Sequence, residues 1–174
     1  MSRPRIYVAS LSDYNAGRLH GAWIDAAQPI EDVRRELAQM LASSPEPMAE
    51  EWAIHDYDNF GPLSLGEYED LDFVCQIARG IAEHGTAFAC FAAVLDSNEW
   101  ESQLAHFDDV FLGEFDDYAA FAAEFLDGVG FSLEQIDLGL VAGYVTIDYG
   151  RLGRDLASNH RTIETNEGLF VFDL

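Results

Sequence analysis

The spacing of hydrophobic and polar positions changes period several times along the chain. RIYVASL (5–11) alternates and is rich in β-formers, which predicts a strand. SDYNAG predicts a turn, and RLHGAWIDA predicts a second strand. Pro29 then opens a helix, because its fixed φ suits the first turn. Ile30, Val33, Leu37, Met40 and Leu41 recur at helical spacing and form one apolar stripe. SSPEPMAE predicts a linker and EWAIHDY a third strand. Residues 1–60 therefore predict a small three-stranded sheet carrying one helix.

After the break NFGPLSLGEYED, the period becomes helical from about residue 70 to 106. Val74, Ile77, Ala78 and Ile81 line one face, and Gly85 is placed to end that helix. TAFACFAAVL is apolar nearly all round and predicts a buried helix, while Asp96 and Glu99 have capping-box spacing. DDVFLGEF (108–115) predicts a strand. In the following helix, DDYAAFAAEFLDGVG, Tyr118, Ala122, Phe125, Leu126 and Val129 cluster on one side of the wheel. Asp116, Asp117, Glu124 and Asp127 cluster on the other side, with no basic residue at i+3 or i+4 to pair with them. YVTIDY has strand composition, but Leu140, Tyr144, Ile147 and Arg151 also fit a helix. RTIETNEGLFVFDL predicts a hairpin around Asn166-Glu167-Gly168. The whole predicts an α+β chain of three small domains: 1–61 (α+β), 62–106 (helical) and 107–174 (α+β with a terminal hairpin).

Charge adds the most to this picture. The chain has 32 Asp and Glu against 9 basic residues, all Arg, for a formal net charge of −23. Residues 1–35 hold four acids and five Arg, residues 36–150 hold 24 acids and one Arg, and residues 151–174 hold four acids and three Arg. Salt adaptation would coat the whole surface. Confinement of the charge to the middle points instead to an acidic functional surface. The composition is otherwise globular, at 49% hydrophobic and 13% aromatic. There is no apolar run long enough for a membrane span and no signal-like stretch in MSRPRIYVAS, so a cytoplasmic protein is expected. Cys75 and Cys90 are expected as buried free thiols.

The chemistry of sites is sparse. Asp56, Asp58, Gly61 and Glu67 match positions one, three, six and twelve of a calcium loop. Position five, however, is Phe60, which offers no side-chain oxygen, and the preceding segment predicts a strand rather than a helix. There is no nucleophile elbow, phosphate loop or dinucleotide fingerprint. The five His are scattered without zinc-ligand spacing. No metal, cofactor or enzymatic activity is expected.

Three blocks in order and spacing, YVASLSDYNAGRLHGAWID (7–25), EEWAIHDYDNF (50–60) and DYGRLGRDL (148–156), resemble the ArdA family of antirestriction proteins. The first contains the family's Tyr-Asn-x-Gly-x-Leu-x-Gly-x-Trp pattern as Tyr14, Asn15, Gly17, Leu19, Gly21 and Trp23. The last is a stretched form of its Tyr-Gly-Arg-Asp-Leu segment. The resemblance implies a protein that mimics B-form DNA and occupies the DNA-binding site of type I restriction-modification enzymes, on their specificity and methyltransferase subunits. It also implies an elongated homodimer that binds neither nucleic acid nor membrane and protects incoming plasmids or transposons.

The charge fits that implication independently. Duplex DNA has one charge per about 1.7 Å of axis, so 23 charges correspond to roughly 40 Å of duplex, and a dimer to roughly 80 Å. The expected phosphate mimics are Asp116, Asp117, Glu124 and Asp127, then Glu67, Glu69, Asp70 and Asp72, then Asp108 and Asp109. The second group also reads as helix N-terminal acids favoured by the macrodipole. Tyr144, Asp148, Tyr149, Gly150, Arg151, Arg154 and Asp155 form the motif-like segment, expected to serve structure or dimer contacts. Tyr14, Trp23, His55 and Tyr57 are expected to hold the first sheet together. The alternatives are an acidic module for another basic partner, a halophile's housekeeping domain, and a calcium-binding protein.

Overall fold

The computed structural model describes residues 3–95 and 100–174, with only the backbone of Glu101 among them. The capping-box pair Asp96 and Glu99 lies outside the described residues. The chain is α+β and divides into two compact units, residues 1–106 and 107–174. Among the described residues no helix is long and apolar enough to cross a membrane.

The first unit opens with β1 (Arg5–Ser10), β2 (Gly21–Asp25) and β3 (Trp52–Asp58), an antiparallel sheet of order β2-β1-β3. Ile6 pairs with Ile24 and Val8 with Ile54, so the alternation seen in the sequence places a row of apolar side chains in the core. Helix α2 (Ile30–Ala42) begins after Pro29 and buries Val33, Leu37 and Met40. The segment expected as a plain turn instead forms a short helix, α1 (Leu11–Asn15). Ser10 caps it, its Oγ accepting the Asp13 N–H at 3.3 Å, which pulls the chain into a helical turn. Asp13 is fully buried beneath this turn. Its carboxylate accepts from the Ser44 hydroxyl and from Arg18 Nε at 3.4 Å, which ties the predicted linker back to the sheet. The Ser44 hydrogen bond, more than any other contact, holds the Asp13 carboxyl below its ordinary value, against the opposing effect of burial.

Helix α3 (Leu71–His84) starts at Asp70, whose side chain accepts the Phe73 N–H at 3.0 Å. Val74, Ile77, Ala78 and Ile81 are buried, the face that the periodicity predicts. It ends at Gly85, where φ of 69° suits a residue without a Cβ. Helix α4 (Thr86–Val94) buries Ala87 through Ala92, and α5 (Trp100–Leu104) follows. Cys75 and Cys90 are buried free thiols. Burial pushes the Cys75 thiol up to about 11, which makes it unreactive at neutral pH.

The second unit contains α6 (Phe107–Val110), β4 (Phe111–Phe115), α7 (Tyr118–Gly128), α8 (Tyr149–Ala157), β5 (Arg161–Glu164) and β6 (Leu169–Phe172). The sheet is antiparallel with order β4-β6-β5. The hairpin β5–β6 forms where its composition predicts, and the wholly apolar β6 is the buried central strand. The strand predicted over 108–115 begins only at Phe111. Asp108 and Asp109 sit in the first turn of α6, where acids favour a helix, and Phe107 stacks under Phe111 at 5.1 Å. YVTIDY forms no strand. Tyr144 ends a 3-10 segment (Gly139–Tyr144), and Asp148 caps α8 by accepting the Arg151 N–H at 2.9 Å.

Candidate functional site

Helix α7 is held by a small core of Phe115, Phe121, Ala157, Leu169 and Val171, with Tyr118, Ala120 and Leu156 packed against it. The anchoring aromatic is Phe121, in tilted contact with Phe115 at 5.1 Å. Phe125 and Val129, which the wheel assigns to the same anchoring side as Tyr118, are 42% and 62% exposed. The wheel weighs every apolar residue alike. The buried sector of α7 is the one that contains Phe121 and Ala122, packed against α8 and the sheet.

Asp116, Asp117, Glu124 and Asp127 are all exposed. Among the described residues, none of the four takes part in an ion pair. Glu124 and Asp127 lie one turn apart, a spacing of about 5–6 Å between Cβ atoms. Asp117 has a further role. It is the N-cap of α7, its Oδ1 accepting the Ala120 N–H at 2.9 Å.

The other predicted acids are placed less uniformly. Glu67 is exposed, and Glu69 accepts the Gly66 N–H at 3.1 Å. Asp70 is the cap of α3, and Asp72 pairs with Arg34 at 2.8 Å. Asp108 and Asp109 are exposed on α6. Glu67, Glu69, Asp70 and Asp72 belong to the first unit, and Asp108, Asp109 and the α7 acids to the second.

The arginines are distributed unevenly. Arg3 pairs with Asp25 at 2.7 Å, Arg5 with Asp58 at 3.0 Å, Arg18 with Asp13 and Glu46, and Arg35 with Asp32. Two acids of the apparent calcium loop are thereby accounted for: Asp58 faces Arg5, and Asp56 Oδ1 accepts the N–H of Tyr57. Phe60 of that loop is buried in the core. Tyr14 and Trp23, expected within the sheet, are 58% and 42% exposed. Tyr14 meets His55 edge-on at 4.9 Å, and Trp23 lies under the Arg5 guanidinium at 4.6 Å. Tyr57 meets Phe60 edge-on.

In the motif-like segment, Asp148 caps α8, and Arg151 and Asp155 form a loose pair at 3.9 Å. Tyr144 and Tyr149 are exposed, Gly150 is half-buried, and Arg154 is exposed beside Tyr118, Ser158 and Thr162. The residue that sequence reasoning passed over is Gly153. A Cβ there would sit 1.8 Å from the Tyr118 carbonyl oxygen, so this glycine lets α8 lie directly against α7. The second Gly-Arg pair of YGRLGRDL was its only signal.

Residues 6–171 match the model of the antirestriction protein (ArdA) family. The chain belongs to the ArdA family. No curated protein matches it. Membership over nearly the full length covers both units, including the acidic middle whose individual residues carry no recognisable motif.

Proposed function

We propose that this ArdA chain inhibits type I restriction-modification enzymes by presenting side-chain carboxylates in place of DNA phosphates. Family membership supports the antirestriction activity. The mimicry rests on one observation: the carboxylates at and on α7 are exposed and, among the described residues, outside every ion pair, while Arg3, Arg5, Arg18, Arg34 and Arg35 of the first unit face acids of their own unit. Unpaired carboxylates keep their full charge for a partner. An Arg- and Lys-lined cleft on the specificity and methyltransferase subunits would pair with them and release condensed counterions, as it does with DNA. No bond is made or broken, so the protein acts stoichiometrically and not as an enzyme.

The assembly is proposed as a cytoplasmic homodimer. Phe131, Ile136, Leu140, Val141, Tyr144 and Val145 support a pairing face in the second unit, each being at least 38% exposed. The role as an aid to plasmid or transposon entry follows from the same activity.

The test uses Asp116→Lys, Glu124→Lys and Asp127→Lys together, which leaves the Asp117 cap intact. Inhibition in a plasmid-restriction assay should fall with the fold unchanged by circular dichroism. Full inhibition by the folded variant would remove α7 from the interface. A pull-down from lysate that returned a different basic protein would favour the alternative of a general acidic module.

A further inference from the structure

The first unit contains a cleft of about 540 Å³ lined by Leu11, Tyr14, Asn15, Glu51, His55, Glu67 and Tyr68. It forms because the backbone N–H of Ile54 on β3 bonds to the Glu67 carbonyl at 2.9 Å, which lays residues 67–68 alongside the strand. The Leu11 N–H bonds to the Glu51 carbonyl at 3.0 Å and brings α1 to the other side. The walls are chemically mixed. Tyr14 stands edge-on to His55, and Tyr68 is 74% exposed at the rim. Among the described residues, neither Glu51 nor Glu67 has a basic side chain within ion-pair distance. Two carboxylates alone would be a solvated face. Here they line a half-open cleft together with two tyrosine rings, a histidine and an asparagine amide.

We infer that this cleft is a receptor for a guanidinium group, an arginine side chain presented by a protein partner. A guanidinium is planar and offers five N–H donors, which carboxylates and a side-chain amide carbonyl accept. It also stacks on aromatic rings more readily than an ammonium does, being less strongly hydrated. The cleft shares no residue with α7, although its Glu67 is also one of the expected phosphate mimics. Tyr14 and His55, which the sequence assigns to sheet integrity, line its walls with Asn15.

The probe is N-acetyl-arginine amide, titrated into the full chain and followed by amide NMR shifts. Saturable shifts confined to residues around Tyr14, His55 and Tyr68 are expected, and none with the neutral isostere N-acetyl-citrulline amide. The double variant Glu51→Gln, Glu67→Gln should weaken binding by about tenfold or more with an unchanged melting temperature. Tyr14→Leu, which keeps both carboxylates, should weaken it about threefold or more. Equal response to citrulline, shifts spread over the acidic surface, or undiminished binding by the double variant would overturn the assignment. So would equal affinity for the matching lysine amide. Because restriction plays no part in the readout, these results leave the α7 proposal to its own assay.

Discussion

The N-terminal sheet and helix α7 are both acidic at their surfaces, yet they use their carboxylates differently. Around the sheet, Asp25, Asp58, Asp32, Glu46 and the buried Asp13 each face an arginine. At α7, Asp116 just before the cap and Glu124 and Asp127 on the helix are exposed and, among the described residues, pair with no base. The difference teaches that total charge is a poor guide to an anionic binding surface. Exposed pairs contribute at most about 1 kcal/mol each to stability, but they neutralise the field a partner would sense. Unpaired acids add repulsion to the fold and keep the field.

The largest expected effect separates the two regions by function. Reversing Asp116, Glu124 and Asp127 to Lys should reduce inhibition by about a hundredfold or more, near 2.8 kcal/mol at about 1.4 kcal/mol per decade. Reversing Asp25 and Asp58, which already face arginines, should change it less than about threefold. Similar losses from both variants would erase the distinction.

Next is the support beneath α7. Gly153→Ala places a methyl against the Tyr118 carbonyl and should cost about 1–3 kcal/mol, read as a lower melting temperature of the second unit. An unchanged melt would mean that α7 and α8 need no close approach. Asp117→Ala should cost about 1 kcal/mol through the lost cap. It should also weaken inhibition less than removing Glu124 and Asp127 together, which separates capping from charge presentation.

The smallest expected effect on inhibition belongs to Asp13, whose contribution is to stability. Its folded carboxyl titrates below the ordinary value of 3.8, chiefly because the Ser44 hydroxyl donates to the ionised form. The unfolded chain therefore binds a proton first as pH falls. The stabilisation is complete well above that value and disappears as pH drops through the folded one. Asp13→Asn should flatten this acid-side loss in melting curves, and an identical acid profile would contradict the network around Ser44.

Much of this was legible in the sequence because the relevant signals are local. The period-2 run at 5–11, the stripe from Ile30 to Leu41 and the hairpin composition at the end each specify their element without help from distant residues. The acid stripe of α7 is exposed as the wheel predicts. What escaped depended on partners far along the chain. Phe121 rather than Phe125 anchors α7 because Ala157 of α8 and Leu169 and Val171 of β6 pack in that sector. SDYN (12–15) is the exception, helical through a neighbouring cap, Ser10. Gly153 matters only because Tyr118 lies beneath it. Asp72 reads as an open acid until Arg34, 38 residues away, is placed beside it.

The most direct test of the central claim is displacement of a fluorescent DNA duplex from a type I methyltransferase by the purified protein across a salt series. If carboxylates stand in for phosphates, displacement is competitive, and the protein's own affinity falls by about a thousandfold between about 50 and 200 mM salt. A non-competitive profile, or an affinity indifferent to salt, would contradict it.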